Sequence, residues 1–181
     1  MFYSVGVVEL KTISKGVEAC DDALKSAGVK LVSAHPACPG KYEMILTGEL
    51  TDVQTAVDRV KAKYGMSVID AVMLGKIEES VVKALLGGMP PEPNGALGIV
   101  ETFSAASAIL AADAAVKAAS VEIIELRVSR GMGGKGFVMI TGNVADVTAA
   151  VEAGSLYAKG EGLFASSTVI PAPHEELWQY I

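Results

Sequence analysis

Short apolar runs and helical stripes alternate along this chain in an order that occurs twice. Val5 to Leu10 is an apolar run of the length a buried strand needs. After it, Val17, Cys20, Leu24 and Ala27 recur at helical spacing and predict an amphipathic helix with that stripe inward. Val29 to Ala34 is rich in β-branched residues and reads as a strand, as does Tyr42 to Thr47, which Gly48 breaks. A second helical pattern follows with Val53, Ala56, Val57 and Val60 on its core face, and Thr51 with Gln54 offers it a capping box. Val68 to Leu74 reads as a last strand, and Glu78 to Leu85 as a short terminal segment.

The same order then returns. Leu97 to Val100 matches the first strand, and Ile109, Ala112, Val116 and Ala119 match the first stripe. Val121 to Val128 and Phe137 to Thr141 supply the next strands, with Gly142 as the break. Val147, Ala150, Val151 and Gly154 form the second core face, and Leu163 to Ile170 the closing strand. Pro171-Ala172-Pro173-His174 leads into Glu175 to Ile181. Val5-Gly6-Val7-Val8-Glu9 reappears 92 positions on as Leu97-Gly98-Ile99-Val100-Glu101, and Gly40-Lys41 reappears 94 positions on as Gly134-Lys135. A period of this size means one structural unit used twice. The predicted organisation is a domain over 1–86, a Gly/Pro linker over 87–95 and a second domain over 96–181. The order β-α-β-β-α-β predicts an α+β class, two tandem ferredoxin-like domains, each with helices on one face of an antiparallel sheet.

Composition narrows the function classes. Hydrophobic residues make up 51% of the chain, aromatics only 6%, and mean hydropathy is +0.41. No stretch is long enough to span a bilayer; Asp113 and Lys117 interrupt the longest alanine-rich segment. The N-terminus has no basic region ahead of its apolar residues, so neither a membrane nor a secretory reading fits. A net charge of −6 without a basic block argues against nucleic acid as a partner. An apolar chain rich in small residues suits burial against copies of itself. Two cysteines without an export signal point to a reducing compartment and no disulfide. With no His and carboxylate pair on facing segments and no nucleophile elbow, the chain does not read as an enzyme.

The two-residue slip between repeats falls in one loop, and there the chemistry diverges. The first copy has Pro36-Ala37-Cys38-Pro39-Gly40, the second Arg130-Gly131-Met132-Gly133-Gly134. Prolines and Gly40 keep Cys38 out of helix and mid-strand and turn it toward solvent. One thiol cannot make a metal site alone. Three copies around an axis would present three thiolates at equal height. The glycine loop is not a phosphate loop: Gly136 stands where the Walker pattern needs Ser or Thr, and no helix N-terminus follows. Its glycines instead permit close backbone approach. Cys20, on the helical stripe, reads as core. His35 is read as a residue of the loop's lip or a neighbour of a metal held there, and His174 as a helix cap. Trp178 and Tyr180 read as packing for the last helix.

Taken together, these residues resemble a known family, the tandem-domain (BMC) shell proteins of bacterial microcompartments. The resemblance is carried by the two Gly-x-Val-Glu openings at Gly6 and Gly98 and by Ala112-Asp113-Ala114-Ala115-Val116-Lys117. Gly142-Asn143-Val144-Ala145-Asp146-Val147 and Val169-Ile170-Pro171-Ala172-Pro173-His174 add to it. It implies a homotrimer that forms a pseudohexameric disc and tiles with other shell proteins in the cytoplasm. The loops line a central pore, here Pro39, Gly40, Met132, Gly133 and Gly134. In the type with a loop cysteine, Cys38 from each of three chains holds one iron–sulfur cluster, a 4Fe–4S cubane, one per trimer. Its roles would be electron transfer across the shell or cluster supply, with an encapsulated flavin or cobalamin reductase as partner. A three-cysteine zinc site, a bare pore passing small polar metabolites and a free small-molecule sensor are the other readings. Lys25 and Lys117, at equivalent places, are implied to lie along the disc edge. Ala172 stands where the family usually has Arg between two prolines, which bears on tiling.

Overall fold

The computed structural model describes residues 4–129 and 131–181. The chain divides into two units. The first takes in the chain through Ile77 together with Ser104–Ala106 and Ser129–Lys135; the second comprises Glu78–Phe103, Ser107–Val128 and Gly136–Ile181.

In the first unit the elements are β1 (Ser4–Leu10), α1 (Ile13–Ser26), β2 (Lys30–Ala37), β3 (Lys41–Gly48), α2 (Leu50–Tyr64) and β4 (Val68–Leu74). The strands form one antiparallel sheet in the order β2-β3-β1-β4. β1 lies between two neighbours and every one of its residues is buried, as its unbroken apolar run requires. The helices pack on one face, where Ala19, Cys20 and Ala23 of α1 and Val53, Ala56, Val57 and Val60 of α2 meet Val8, Leu10, Met44 and Leu46. Gly6 shares that face; a Cβ there would come within 2.8 Å of Val57 Cγ2, so the glycine lets α2 sit down on β1.

Three expectations change. The stripe predicted for α1 is rotated: Gly16, Ala19, Cys20 and Ala23 are buried, while Val17 and Leu24 face out. The reason is the Tyr42 ring, which lies where a Cβ on Gly16 would be, 2.2 Å away. The small-residue face is the one that fits against the sheet. The Thr51–Gln54 capping box does not form, because α2 starts at Leu50 with Glu49 as a cap that makes no side-chain bond. Thr51 lies inside the helix, and its carbonyl accepts from Thr55 Oγ1. β2 runs on to Ala37, past the predicted Ala34.

The second unit holds α3 (Glu79–Leu85), β5 (Ala96–Thr102), most of α4 (Ala105–Ala118), β6 (Val121–Val128), β7 (Gly136–Gly142), α5 (Val144–Gly160) and β8 (Phe164–Ile170). Its sheet has the order β6-β7-β5-β8 and is again antiparallel. Val147, Ala150, Val151 and Gly154 are the buried face of α5, as their spacing predicts. Gly98 repeats the role of Gly6; a Cβ there would lie 2.6 Å from Val147 Cγ1. α3 packs on β6 with Val81 fully buried. The Asp113 carboxylate fixes its start by accepting the Glu78 N–H at 2.9 Å. The last residues make a 3-10 stretch, Glu175–Gln179, not an α-helix. Tyr180 is 78% exposed, so it does not pack that segment; Trp178 is half-buried. Among the described residues no helix is long and apolar enough to cross a membrane.

Candidate functional site

β2 ends at Ala37 and β3 begins at Lys41, leaving Cys38, Pro39 and Gly40 to make the turn. Gly40 donates its N–H to the Ala37 carbonyl at 2.9 Å and has φ +87°, a backbone that glycine tolerates and other residues resist. Pro39 and Gly40 are exposed and Cys38 is half-buried, its thiol outside any disulfide. Within the same unit the turn is pinned from behind. Cys38 donates its N–H to the Ser129 carbonyl at 3.2 Å, and Gly134 backs the turn so closely that a Cβ there would lie 2.5 Å from the Cys38 carbonyl oxygen. Gly131, Gly133 and Gly134 all have positive φ. Gly133 is exposed and Met132 half-buried, but Gly134 is buried, so it supports the turn instead of presenting a surface. Arg130 lies outside the described residues.

Behind the turn runs a feature the pattern did not predict. His35, Glu43, Glu9 and Asp70 face one another in register across β2, β3, β1 and β4. Glu9 and Glu43 are fully buried and Asp70 nearly so. Lys41 Nζ lies 3.3 Å from Glu9 Oε2 and donates to the Gly134 carbonyl at 3.2 Å, joining the row to the glycine loop. Glu9 Oε1 accepts the Ala106 N–H at 3.0 Å, and Ser104 Oγ donates to Asp70. Burial pushes the Glu9 carboxyl above its ordinary value, and the neighbouring Glu43 adds to this; the Ala106 N–H and the Lys41 charge pull the other way. His35 Nε2 sits 3.6 Å from Glu43 Oε1. His35 therefore faces Glu43 within the sheet row, and the fold does create one His–carboxylate pair. The signal was present as an acid inside the apolar run of β1. In the second repeat the matching positions are Arg127, Phe137, Glu101 and Ser166, so the row belongs to the first repeat.

The remaining candidates sit apart from the turn. Cys20 Sγ lies 3.5 Å from Met44 Sδ in the core, and burial pushes its thiol up to about 11, which keeps it protonated and inert. His174 caps the terminal 3-10 stretch, Nδ1 accepting the Glu176 N–H at 3.2 Å. Lys25 is exposed and paired with Asp21, one turn before it. Its counterpart Lys117 is paired with Asp113, which is only 3% exposed, so the two equivalent lysines have unequal freedom. Among the described residues of one chain, no group of three or more His, Cys, Asp and Glu could hold a metal ion.

The arrangement has a family. The BMC domain matches residues 4–77 and again 96–173. The bacterial microcompartment shell protein PduT of Citrobacter freundii is 40% identical over 99% of this chain and 97% of its own length. The shell protein EutM of Salmonella typhimurium is 42% identical over 45% of this chain and 83% of its own, the span of one repeat. Among solved structures, a microcompartment protein from Desulfitobacterium hafniense is 42% identical with a TM-score of 0.82, over 97% of this chain and 98% of that one. The fused permuted hexameric shell protein of the RMM microcompartment shares the fold at 24% identity and a TM-score of 0.66, over 87% and 81% of the two chains. The chain belongs to the BMC-domain family of bacterial microcompartment shell proteins and carries the domain twice.

Proposed function

We propose that three copies of this chain close around an axis as a disc in a microcompartment wall, and that Cys38 of each copy holds one 4Fe–4S cluster on that axis. The observation that supports this is the Cys38 turn. Its thiol is half-exposed and outside any disulfide, and its backbone is held by Ser129 and Gly134. A partly exposed ligand on a fixed backbone suits a shared site, because three such turns can bring three sulfurs together without refolding. Three thiolates match the threefold axis of a cubane and leave its fourth iron to another ligand. When bound, such a cluster passes single electrons. The chain's part is to hold the sulfur, with Pro39 stiffening the turn, Gly134 supporting it from behind and Gly40 allowing the backbones of neighbouring copies to approach. Electron transfer would run across the shell to an encapsulated flavin or cobalamin reductase. Lys25 and Lys117 are proposed to meet neighbouring discs, with Lys25 the more exposed contact.

Anaerobic reconstitution with iron and sulfide, read by visible absorption, EPR and metal analysis, tests the cluster. A coloured trimer containing iron and acid-labile sulfide is expected, and Cys38→Ser should lose both while keeping its mass in solution. Colourless, iron-free trimer from the unaltered chain would leave a second reading, an open pore for small polar metabolites. The exposed backbone of Gly40 and Gly133 favours that alternative.

A further inference from the structure

Acidic side chains inside a sheet need a reason, and the first unit lines up three of them. Glu43, Glu9 and Asp70 lie opposite one another across β3, β1 and β4, and His35 on β2 extends the row. Opposed residues of an antiparallel pair stand about 5 Å apart, close enough for like charges to repel. Val8, Leu10, Met44 and Leu46, the alternate positions on β1 and β3, carry the face that α1 and α2 cover. The row therefore occupies the other face, and there Glu9 and Glu43 are fully buried. In the second repeat Glu101 faces Phe137 and Ser166 instead of two acids. The acid row and the loop thiol sit in the same repeat.

One side chain ties the row to the Cys38 turn. Lys41 Nζ lies 3.3 Å from Glu9 Oε2 and donates to the Gly134 carbonyl at 3.2 Å. Gly134 in turn backs the Cys38 carbonyl within the same unit. The groups facing Glu9 are Glu43 and Lys41 from β3 and Asp70 from β4, with the Ser104 hydroxyl and the Ala106 N–H from the Ser104–Ala106 segment. His35 stands one strand further out, its Nε2 3.6 Å from Glu43 Oε1. With His35 neutral, three ionised acids and one lysine would leave this buried row strongly negative. Neighbouring buried carboxylates do not all ionise readily, and burial already favours the protonated form of Glu9.

We propose that this row is a proton-binding site that sets how firmly the Cys38 turn is held. With Glu9 ionised, its charge keeps Lys41 folded inward, where the ammonium also grips the Gly134 carbonyl. When Glu9 takes a proton, that attraction is lost. The balance then shifts toward water for an ammonium whose side chain is only 14% exposed. Its departure frees the Gly134 carbonyl and loosens the segment on which Cys38 rests. Because Glu9 is held above its ordinary value of 4.5, the change falls on the alkaline side of that value. The turn is firm at higher pH and loose in mild acid. The device needs neither a cluster nor a second chain, so it stands or falls apart from the shell reading.

Hydrogen–deuterium exchange of the purified full chain, read by mass spectrometry and corrected for the intrinsic effect of pH on amides, tests this. The Cys38 N–H is bonded to the Ser129 carbonyl and the Gly40 N–H to Ala37. Their protection is expected to fall about tenfold from about pH 8 to about pH 5, the size of one lost hydrogen bond to a charged group. β7, in the second unit, should keep its protection. Glu9→Gln, an uncharged isostere, should show the loosened turn at both pH values, with circular dichroism unchanged. Lys41→Met keeps the stem without the charge and should behave alike. A turn equally protected at both pH values in the unaltered chain would overturn the proposal, whether or not either variant folds. Equal loosening of β7 would do so too, since it marks general acid destabilisation, as would a Glu9→Gln or Lys41→Met protein that keeps the pH response.

Discussion

Gly133 and Gly134 stand side by side with similar left-handed backbones, yet substitution should cost them differently. At Gly133, φ is +63° and no atom lies within 4 Å of a built Cβ, so Gly133→Ala meets only the backbone penalty, about 1 kcal/mol. Gly134→Ala adds a collision with the Cys38 carbonyl oxygen at 2.5 Å, which is backbone and cannot swing away. A loss of about 3 kcal/mol is expected by urea unfolding, together with faster reaction of Cys38 with a thiol reagent. Glu9 makes a prediction in pH. Burial raises its folded value above the unfolded one, so ionising it costs stability. That cost is absent below about pH 4.5, the ordinary value, and grows as pH climbs toward the raised value before levelling off. Glu9→Gln cannot ionise, so its stability relative to the unaltered chain should improve from pH 4.5 to neutrality. A difference that does not move with pH would show that Glu9 titrates as if in water. At this scale Cys38 and the glycines were legible, since turn chemistry is local. The buried row of His35, Glu43, Glu9 and Asp70 was not, because its members come from four strands and meet only through register.

The helices teach a different lesson. Spacing chose the inward faces of α2 and α5 correctly because each has a single apolar stripe, Val53 to Val60 and Val147 to Gly154. α1 has two competing stripes, one of large residues and one of Gly16, Ala19, Cys20 and Ala23. Size decided against hydrophobicity there: the helix must pass the Tyr42 ring, and only a face of small side chains lets it. Gly16→Ala, which in an exposed helix would stabilise by about 1 kcal/mol, is therefore expected to destabilise here by about 2–3 kcal/mol. Thermal unfolding checks the sign; a gain would show that Tyr42 yields easily. The large stripe was not a wasted signal. It marks a surface that this chain does not cover for itself.

For the whole molecule, the duplication is the governing fact. Among the described residues a single chain has no group of three or more His, Cys, Asp and Glu that could hold a metal ion, and a chain with two identical loops would give six thiols to a ring of three. Divergence of one loop gives three. If that count is functional, reconstituted protein should bind about four irons per three chains, measured by metal analysis against amino-acid quantitation. About four irons per single chain, or zinc in place of iron, would contradict it.

Composition, periodicity and the repeat determined by themselves that there are two α+β units, the order of their strands and helices, and the position where the repeats part company. Those follow from short-range physics: alternation, helical spacing, turn residues and the length of apolar runs. Only the tertiary structure decided which face of α1 turns inward, that Gly134 lies beneath the Cys38 turn, and that a fully buried carboxylate at Glu9 accepts the Ala106 N–H at the start of α4. Each of these depends on a partner far away in the chain, Tyr42 for Gly16, Cys38 for Gly134 and Ala106 for Glu9, so no local window contains it.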